Sequence, residues 1–308
     1  MEKTVKIIVN IIIFIVVIGF IAYMVSSVNK DEQTVSTIAV SKPFTSPLNK
    51  VQTLEFPFEI GHFELYNERI ILADKQSIHI FNKSGERQNS FTIKSGLQDI
   101  AIMNNEIFVL YPTAINVYSM QGDSINHWEA CSDNSAYCAM ALTNDFVFVT
   151  DAQNKNICKY TRGGNFKTFI FSPHDFIIPS YTFDIFNYND TIYAVNSGRH
   201  LIERYTTDGD FISSFGGSGT ESGFFAGCCN PAYIDITDEG RIYTSEKGNP
   251  RISIFNNNGQ FDEVLLDNKL LGGGNKAYEL KVLDDHLFVA NKNRLDIYAF
   301  KNKSNENN

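Results

Sequence analysis

The sequence has no Lys/Arg cluster, no H-E-x-x-H or G-x-S-x-G motif, and hardly any helical apolar stripes. Each absence removes a class of function. Its 26 Lys and Arg are outnumbered by 35 Asp and Glu, and residues 1–29 carry +1 of the −9 net charge, which leaves −10 on the remainder. Such a body offers no basic face to displace the counterions of a phosphate backbone, so nucleic acid is excluded as a partner. The run of glycines at 272–274 lacks the lysine and following helix of a phosphate loop and reads as a flexible connection. Without the zinc-protease or nucleophile-elbow motif, scattered Ser, His and Asp residues define no catalytic triad.

What is present is β-forming. Apolar residues make up 43% of the chain, with 25 Phe and 14 Tyr, mostly in short alternating runs. That pattern fits half-buried strands rather than helices.

One long apolar run stands apart. Residues 7–24 (IIVNIIIFIVVIGFIAYM) hold Asn10 as the one strongly polar side chain, long enough to span a bilayer. Lys3 and Lys6 precede it, so the positive-inside bias predicts a cytoplasmic terminus at 1–6, a transmembrane anchor at 7–24 and a body outside the cytoplasm, periplasmic or extracellular. A cleaved signal peptide is the rival reading; the run is long for one and no A-x-A site ends it. Residues 25–50, Ser/Thr/Pro-rich in their second part, read as a stalk, and 301–308 as a polar tail.

From about residue 60 to 300 one unit recurs six times: a short strand, a polar turn, a strand rich in Ile, Phe, Val and Tyr, a loop, and a third strand ending in a polar, often Gly-containing turn. The second strands align at Ile70, Ile107, Phe146, Ile192, Ile242 and Leu287. A repeat of this length, with a fourth strand after the turn, is one blade of a propeller, and six such units that cannot bury their faces alone predict a closed ring over residues 51–300. The sixth unit stops at Phe300 before a fourth strand. The orphan segment 51–58 (VQTLEFPF) is therefore expected to close it beside 294–300 and remove the open edge. The single Trp128 is expected to pack between blades.

The fifth unit, within 211–261, carries FGGSG, then Pro231, ITDEGRIYTSE ending at Glu246, then Arg251-Ile252. These residues resemble the NHL repeat, in which a Pro precedes the inner strand, an Asp ends the second and Arg-Ile opens the third; here Glu246 replaces the Asp. The fourth unit follows in part and the first three in outline. The resemblance implies an all-β fold, a six-bladed β-propeller of NHL type preceded by one N-terminal transmembrane helix. With the GCCNP insertion it also implies a membrane-anchored subset of such propellers to which no activity attaches.

Two constellations are candidate sites. The first is the GCCNP turn, Cys228, Cys229 and Asn230, with Glu246, Lys247 and Arg251 of the same unit beside it. Adjacent cysteines outside the cytoplasm can close a strained, reducible vicinal disulfide, hold a soft metal, or pair with Cys131 and Cys138; pairing of Cys131 with Cys138 is a further possibility. Five cysteines leave one unpaired, and Cys158 reads as a free thiol packed in the core. Sorted by loop, Cys131, Cys138, Cys228 and Cys229 fall on one face of the disc. The second constellation lies eight residues before each second-strand anchor: His62, Asp99, Cys138, Asp184 and Glu279, with Tyr233 in the fifth unit. Such positions ring the channel mouth, where carboxylates, His and Cys can hold a metal ion, although wet channel mouths carry polar side chains without one.

These features predict a membrane-tethered extracytoplasmic propeller that binds or scaffolds a protein or small molecule through its cysteine-bearing face. The alternatives are a redox or metal-handling accessory protein that uses Cys228 and Cys229, and a metal-dependent hydrolase or lyase acting at the channel mouth.

Overall fold

A computed structural model describes residues 16–19 and 44–301. The expected membrane segment 7–24 lies outside the described residues except for 16–19, which are helical. Among the described residues no helix is long and apolar enough to cross a membrane. The chain divides into two compact units, Met1–Thr45 and Ser46–Asn308; the second is a six-bladed β-propeller.

Among its described residues, 24 strands form six four-stranded antiparallel sheets. From the innermost strand outward the blades are β2 to β5 (His62–Tyr66, Arg69–Ala73, Ser77–Asn82, Arg87–Thr92), β6 to β9 (Asp99–Met103, Glu106–Tyr111, Ala114–Ser119, Ser124–Glu129), β10 to β13 (Tyr137–Leu142, Phe146–Asp151, Asn156–Thr161, Phe166–Ile170), β14 to β17 (Ile185–Tyr188, Thr191–Asn196, Leu201–Thr206, Phe211–Gly216) and β18 to β21 (Tyr233–Ile236, Ile242–Glu246, Arg251–Phe255, Phe261–Leu266). The sixth is β22, β23 and β24 (Leu280–Leu283, His286–Asn291, Arg294–Phe300), with β1 (Leu48–Glu55) as its outer strand. The inner strands touch one another in cyclic order, β22 against β2 included, so the ring is closed.

The closing strand differs in extent from the expected segment. Leu48 pairs with Phe300 and Glu55 with Arg294, and Ser46 Oγ donates 2.6 Å to the carbonyl of Leu265. The stalk therefore ends earlier, because Leu48 is buried against Tyr298 in the seam between blades five and six. Phe56 and Phe58 lie beyond the strand and pack on Phe81 and His79.

The core is six separate apolar clusters, one in each seam between neighbouring blades. Successive strand residues point to opposite faces of a sheet, so in β7 Phe108 and Leu110 serve one seam while Ile107 and Val109 serve the other. That double duty makes the second strands near-continuous apolar runs, whereas the outer strands keep one face in water.

Seam packing also explains the glycine of the turn between third and fourth strands. Gly85, Gly122, Gly164, Gly209 and Gly259 each have positive φ, and each lies under an outer-strand side chain of the preceding blade: Leu54, Phe91, Trp128, Ile170 and Phe215. At Gly164 (φ +88°) an added Cβ would stand 2.4 Å from the Trp128 indole. Gly164→Ala therefore strains the backbone and overpacks the seam. It is expected to cost about 2–4 kcal/mol, seen as a lowered Tm, while Gly96→Ala, with φ +88° and open space, loses only the backbone component.

Candidate functional site

The inner strands enclose a channel holding a cavity of about 600 Å³, and the sequence-selected positions surround it. His62, Asp99, Asp184, Tyr233 and Glu279 occupy equivalent positions at the start of their inner strands. Cys138 is out of step. Val147, not Phe146, is equivalent to Ile70 and Ile107: it is fully buried, whereas Phe146 is half-buried beneath the Lys159 ammonium, 3.9 Å from its ring centroid. The equivalent inner residue is Ala139, and Cys138 lies in the register shift between Tyr137 and Met140. Its thiol still lines the cavity, but burial pushes it up to about 12, with Asp151 and Asp99 adding to the rise, so it is a neutral thiol.

Within a blade the innermost strand has no partner on its channel side, and its free N–H groups need acceptors. The ring carboxylates supply them across the seams. Asp99 accepts from Met140 N (2.8 Å), Asp184 from Ile234 N (2.7 Å), Asp235 from Val282 N (2.6 Å) and Glu279 from Phe63 N (3.2 Å). Asp99, Asp184 and Glu279, selected as possible metal ligands, thus also clamp neighbouring blades. Among the described residues no group of three or more His, Cys, Asp or Glu is placed to hold a metal ion.

The local countercharges are protein cations. His62 Nδ1 lies 3.4 Å from Glu279 and 3.9 Å from Asp99, and Lys281 Nζ is 2.5 Å from Glu64. Burial opposes the imidazolium of His62, but Glu279 and Asp99 overcome it and carry the group up to about 9. Burial likewise raises Asp99 and Asp235 to about 7 and Asp184 to about 6 against the pull of Lys281, and raises Glu64. Lys281, though penalised by burial, is held protonated by Glu64, Asp235, Glu279 and Asp99. Four carboxylates that line the cavity, Glu64, Asp99, Asp184 and Glu279, and the buried Asp235 therefore surround two cations. Glu64, Asp235 and Lys281 were not singled out from the sequence. Each follows a selected residue at i+2, and two-residue periodicity places both on one strand face.

The GCCNP turn meets this channel. Ser180, Tyr181, Thr182 and Lys247 line the cavity; Lys247 Nζ donates 2.8 Å to Thr182 Oγ1, and Cys229 Sγ lies 3.8 Å from Ser180 Oγ. Tyr181, in the short 3-10 turn Pro179–Tyr181, is exposed. The two sulfurs of Cys228 and Cys229 are 2.9 Å apart. Burial works against ionisation of Cys229, yet contacts with Cys228 and Ser180 and the charge of Lys247 leave its thiol below the ordinary value, while hydrogen bonding with Cys229 raises Cys228.

The remaining selected residues hold the loop by hydrogen bonds. Glu246 is buried, paired with Arg251, and accepts from Ala226 N (3.2 Å); Arg251 also donates to the Phe224 carbonyl. Asn230, buried, exchanges hydrogen bonds with both backbone groups of Lys247 and donates to Ala226 O. Together they pin the loop that carries Cys228 and Cys229 and tie it to Lys247, which lines the cavity.

The cysteine grouping expected from loop order is corrected. Cys131 does not join Cys138, Cys228 and Cys229: its sulfur turns into the seam between blades two and three and lies 2.9 Å from Cys158, drawn there by Tyr137, whose hydroxyl bonds both Cys131 N and Sγ.

No protein-family model and no curated protein matches the sequence. Solved structures are similar in fold. Virginiamycin B lyase from Staphylococcus aureus aligns over 82% of this chain and 100% of its own with TM-score 0.59 at 12% identity. A protein of unknown function from Bacteroides thetaiotaomicron aligns over 82% and 72% with TM-score 0.58 at 11% identity, and the WD40 domain of Neurospora crassa Pan2 over 84% and 98% with 0.56 at 9%. At these identities the likeness is one of propeller architecture.

Proposed function

We propose that this chain is a membrane-tethered, extracytoplasmic propeller of NHL type whose channel mouth binds a small molecule or a chain end bearing a positively charged amine. The observation that carries the reading is the throat itself: the carboxylates of Glu64, Asp99, Asp184 and Glu279 against His62 and Lys281, in a cavity also lined by Tyr181 and Lys247. A cavity of about 600 Å³ lies within the size range of small-ligand sites. An ammonium group entering it would draw Asp99 and Asp184 to ionise, so binding should strengthen as pH rises from 5 to 8.

The test is a thermal-shift and calorimetric screen of primary amines, amino sugars and short Lys- or Arg-containing peptides against matched carboxylates and phosphates. Amines should raise Tm, more at pH 8 than at pH 5. Asp184→Asn, which keeps an acceptor for Ile234 N, should weaken binding at least tenfold without unfolding the blade pair. Binding of anions but not amines would overturn the reading. Tethering is checked separately by whether the protein stays with membranes after a carbonate wash.

A second reading, thiol redox exchange by Cys228 and Cys229, draws on the 2.9 Å sulfur contact and the lowered Cys229 thiol beside Lys247. It requires that Cys228→Ser with Cys229→Ser abolish reduction of a small disulfide substrate.

A further inference from the structure

We propose that Cys131 and Cys158 form a disulfide that staples the connection between blades two and three to the third strand of blade three. Cys158, in β12, is fully buried, and Cys131, in the loop between β9 and β10, is half-buried. Their sulfurs lie 2.9 Å apart, so closing the bond requires an approach of under about 1 Å. The site around them is built. Tyr137 Oη takes the Cys131 N–H at 3.1 Å and donates to Cys131 Sγ at 3.4 Å, and its other partner is the hydroxyl of Tyr160 on β12. Trp128, Phe108 and Tyr160 close the seam around the pair.

Cys131, the more exposed residue of the pair, sets the order of events. With a low-molecular-weight disulfide such as oxidised glutathione as oxidant, the Cys131 thiolate attacks one sulfur of the reagent, forming a mixed disulfide and releasing one thiolate, which takes the proton Cys131 lost. Cys158 then loses its proton, attacks the Cys131 sulfur and displaces the second thiolate, which is protonated in turn. Two protein thiols are oxidised, and one external disulfide becomes two thiols. The Tyr137 hydroxyl, donating to Cys131 Sγ, stabilises the attacking thiolate. The staple acts at a distance from its own seam, because Tyr137 begins β10, the strand that carries Cys138 and the clamped Met140 to the channel.

The experiment uses the full chain equilibrated with oxidised glutathione, then denatured, alkylated and digested for mass spectrometry. A peptide pair joined through Cys131 and Cys158 and split by dithiothreitol is expected. Reduction should lower Tm by roughly 5–10 °C, as loss of a cross-link closing a loop of this length predicts. That shift should persist when Cys228 and Cys229 are both Ser and vanish in Cys131→Ser. Alkylation of Cys131 and Cys158 after oxidation, or a link from Cys131 to Cys138, overturns the proposal. Mapping of the wild-type chain decides even if a variant fails to fold.

Discussion

The thermal midpoint of the propeller is expected to be highest near pH 4 and to fall steadily toward pH 9. Asp99 and Asp235 hold protons up to about 7 and Asp184 up to about 6 in the folded ring, against 3.8 for an ordinary Asp. Between those values the folded state binds more protons than the unfolded chain, so stability decreases as pH rises and levels off above 7. His62 extends the decline: its proton, ordinarily lost near 6.5, is kept to about 9, so the stability it contributes is complete below 6.5 and gone above 9. Each tenfold difference in proton affinity corresponds to about 1.4 kcal/mol. The groups share Lys281 and repel one another, so their effects do not add; a net loss on the order of 3–5 kcal/mol, or roughly 10 °C in Tm, is expected across the range. Below pH 4 the trend reverses where carboxylates with lowered values, such as Asp74, take up protons. Differential scanning calorimetry from pH 4 to 9 measures the curve. Asp99→Asn with Asp235→Asn should flatten it between 5 and 7, and a midpoint that rises from pH 5 to 8 would show that the ring carboxylates ionise freely.

Replacing Glu246 by Ala is expected to cause the largest loss from any single change in the fifth blade, about 3–5 kcal/mol. It strands the Arg251 guanidinium and frees the Ala226 N–H, both held by a carboxylate that is 2% exposed. The loss should be local as well as global. Loop 224–230, anchored through Phe224 O and Ala226 N, should exchange its amide hydrogens faster, and the buried Cys229 should become open to alkylation. The double variant Glu246→Ala with Arg251→Ala should lose clearly less than the two single losses combined, because neither charge is then left alone. Chemical denaturation of the four proteins completes the cycle; additive losses would mean that the pair is not coupled.

The loss of amine binding predicted for Asp184→Asn and the loop release predicted for Glu246→Ala separate the two roles within the mouth. The first changes the throat while the loop stays in place; the second moves the loop while the throat keeps its charges.

Sequence alone determined the repeat and hence the ring. The apolar second strands, the turn glycines and the missing fourth strand are local signals, and each has one cause: a blade must bury two faces against neighbours. Trp128 in a seam followed from the same requirement. Alternation also marked which inner-strand residues face the channel, and it would have added Glu64, Asp235 and Lys281 had it been carried one step further.

Three things waited for the tertiary structure. Phe146 and Val147 are both apolar, and only the cover of Lys159 over Phe146 shows which begins the buried register, so Cys138 was placed one residue out of step. The polar segment before Val51 hid the first residues of β1, because an outer strand needs few buried side chains and Leu48 supplies its upper anchor. The roles of the ring carboxylates and of Cys158 depend on what the next blade presents. That Asp99 and Asp184 also accept a neighbouring strand's N–H, at 2.8 and 2.7 Å, is visible only once the blades are placed side by side. Cys158 is the free, core-packed thiol the sequence indicated, and only the fold shows that the loop between blades two and three brings Cys131 within 2.9 Å of it. Contacts across a seam join residues whose separation in sequence carries no period, and packing alone decides them.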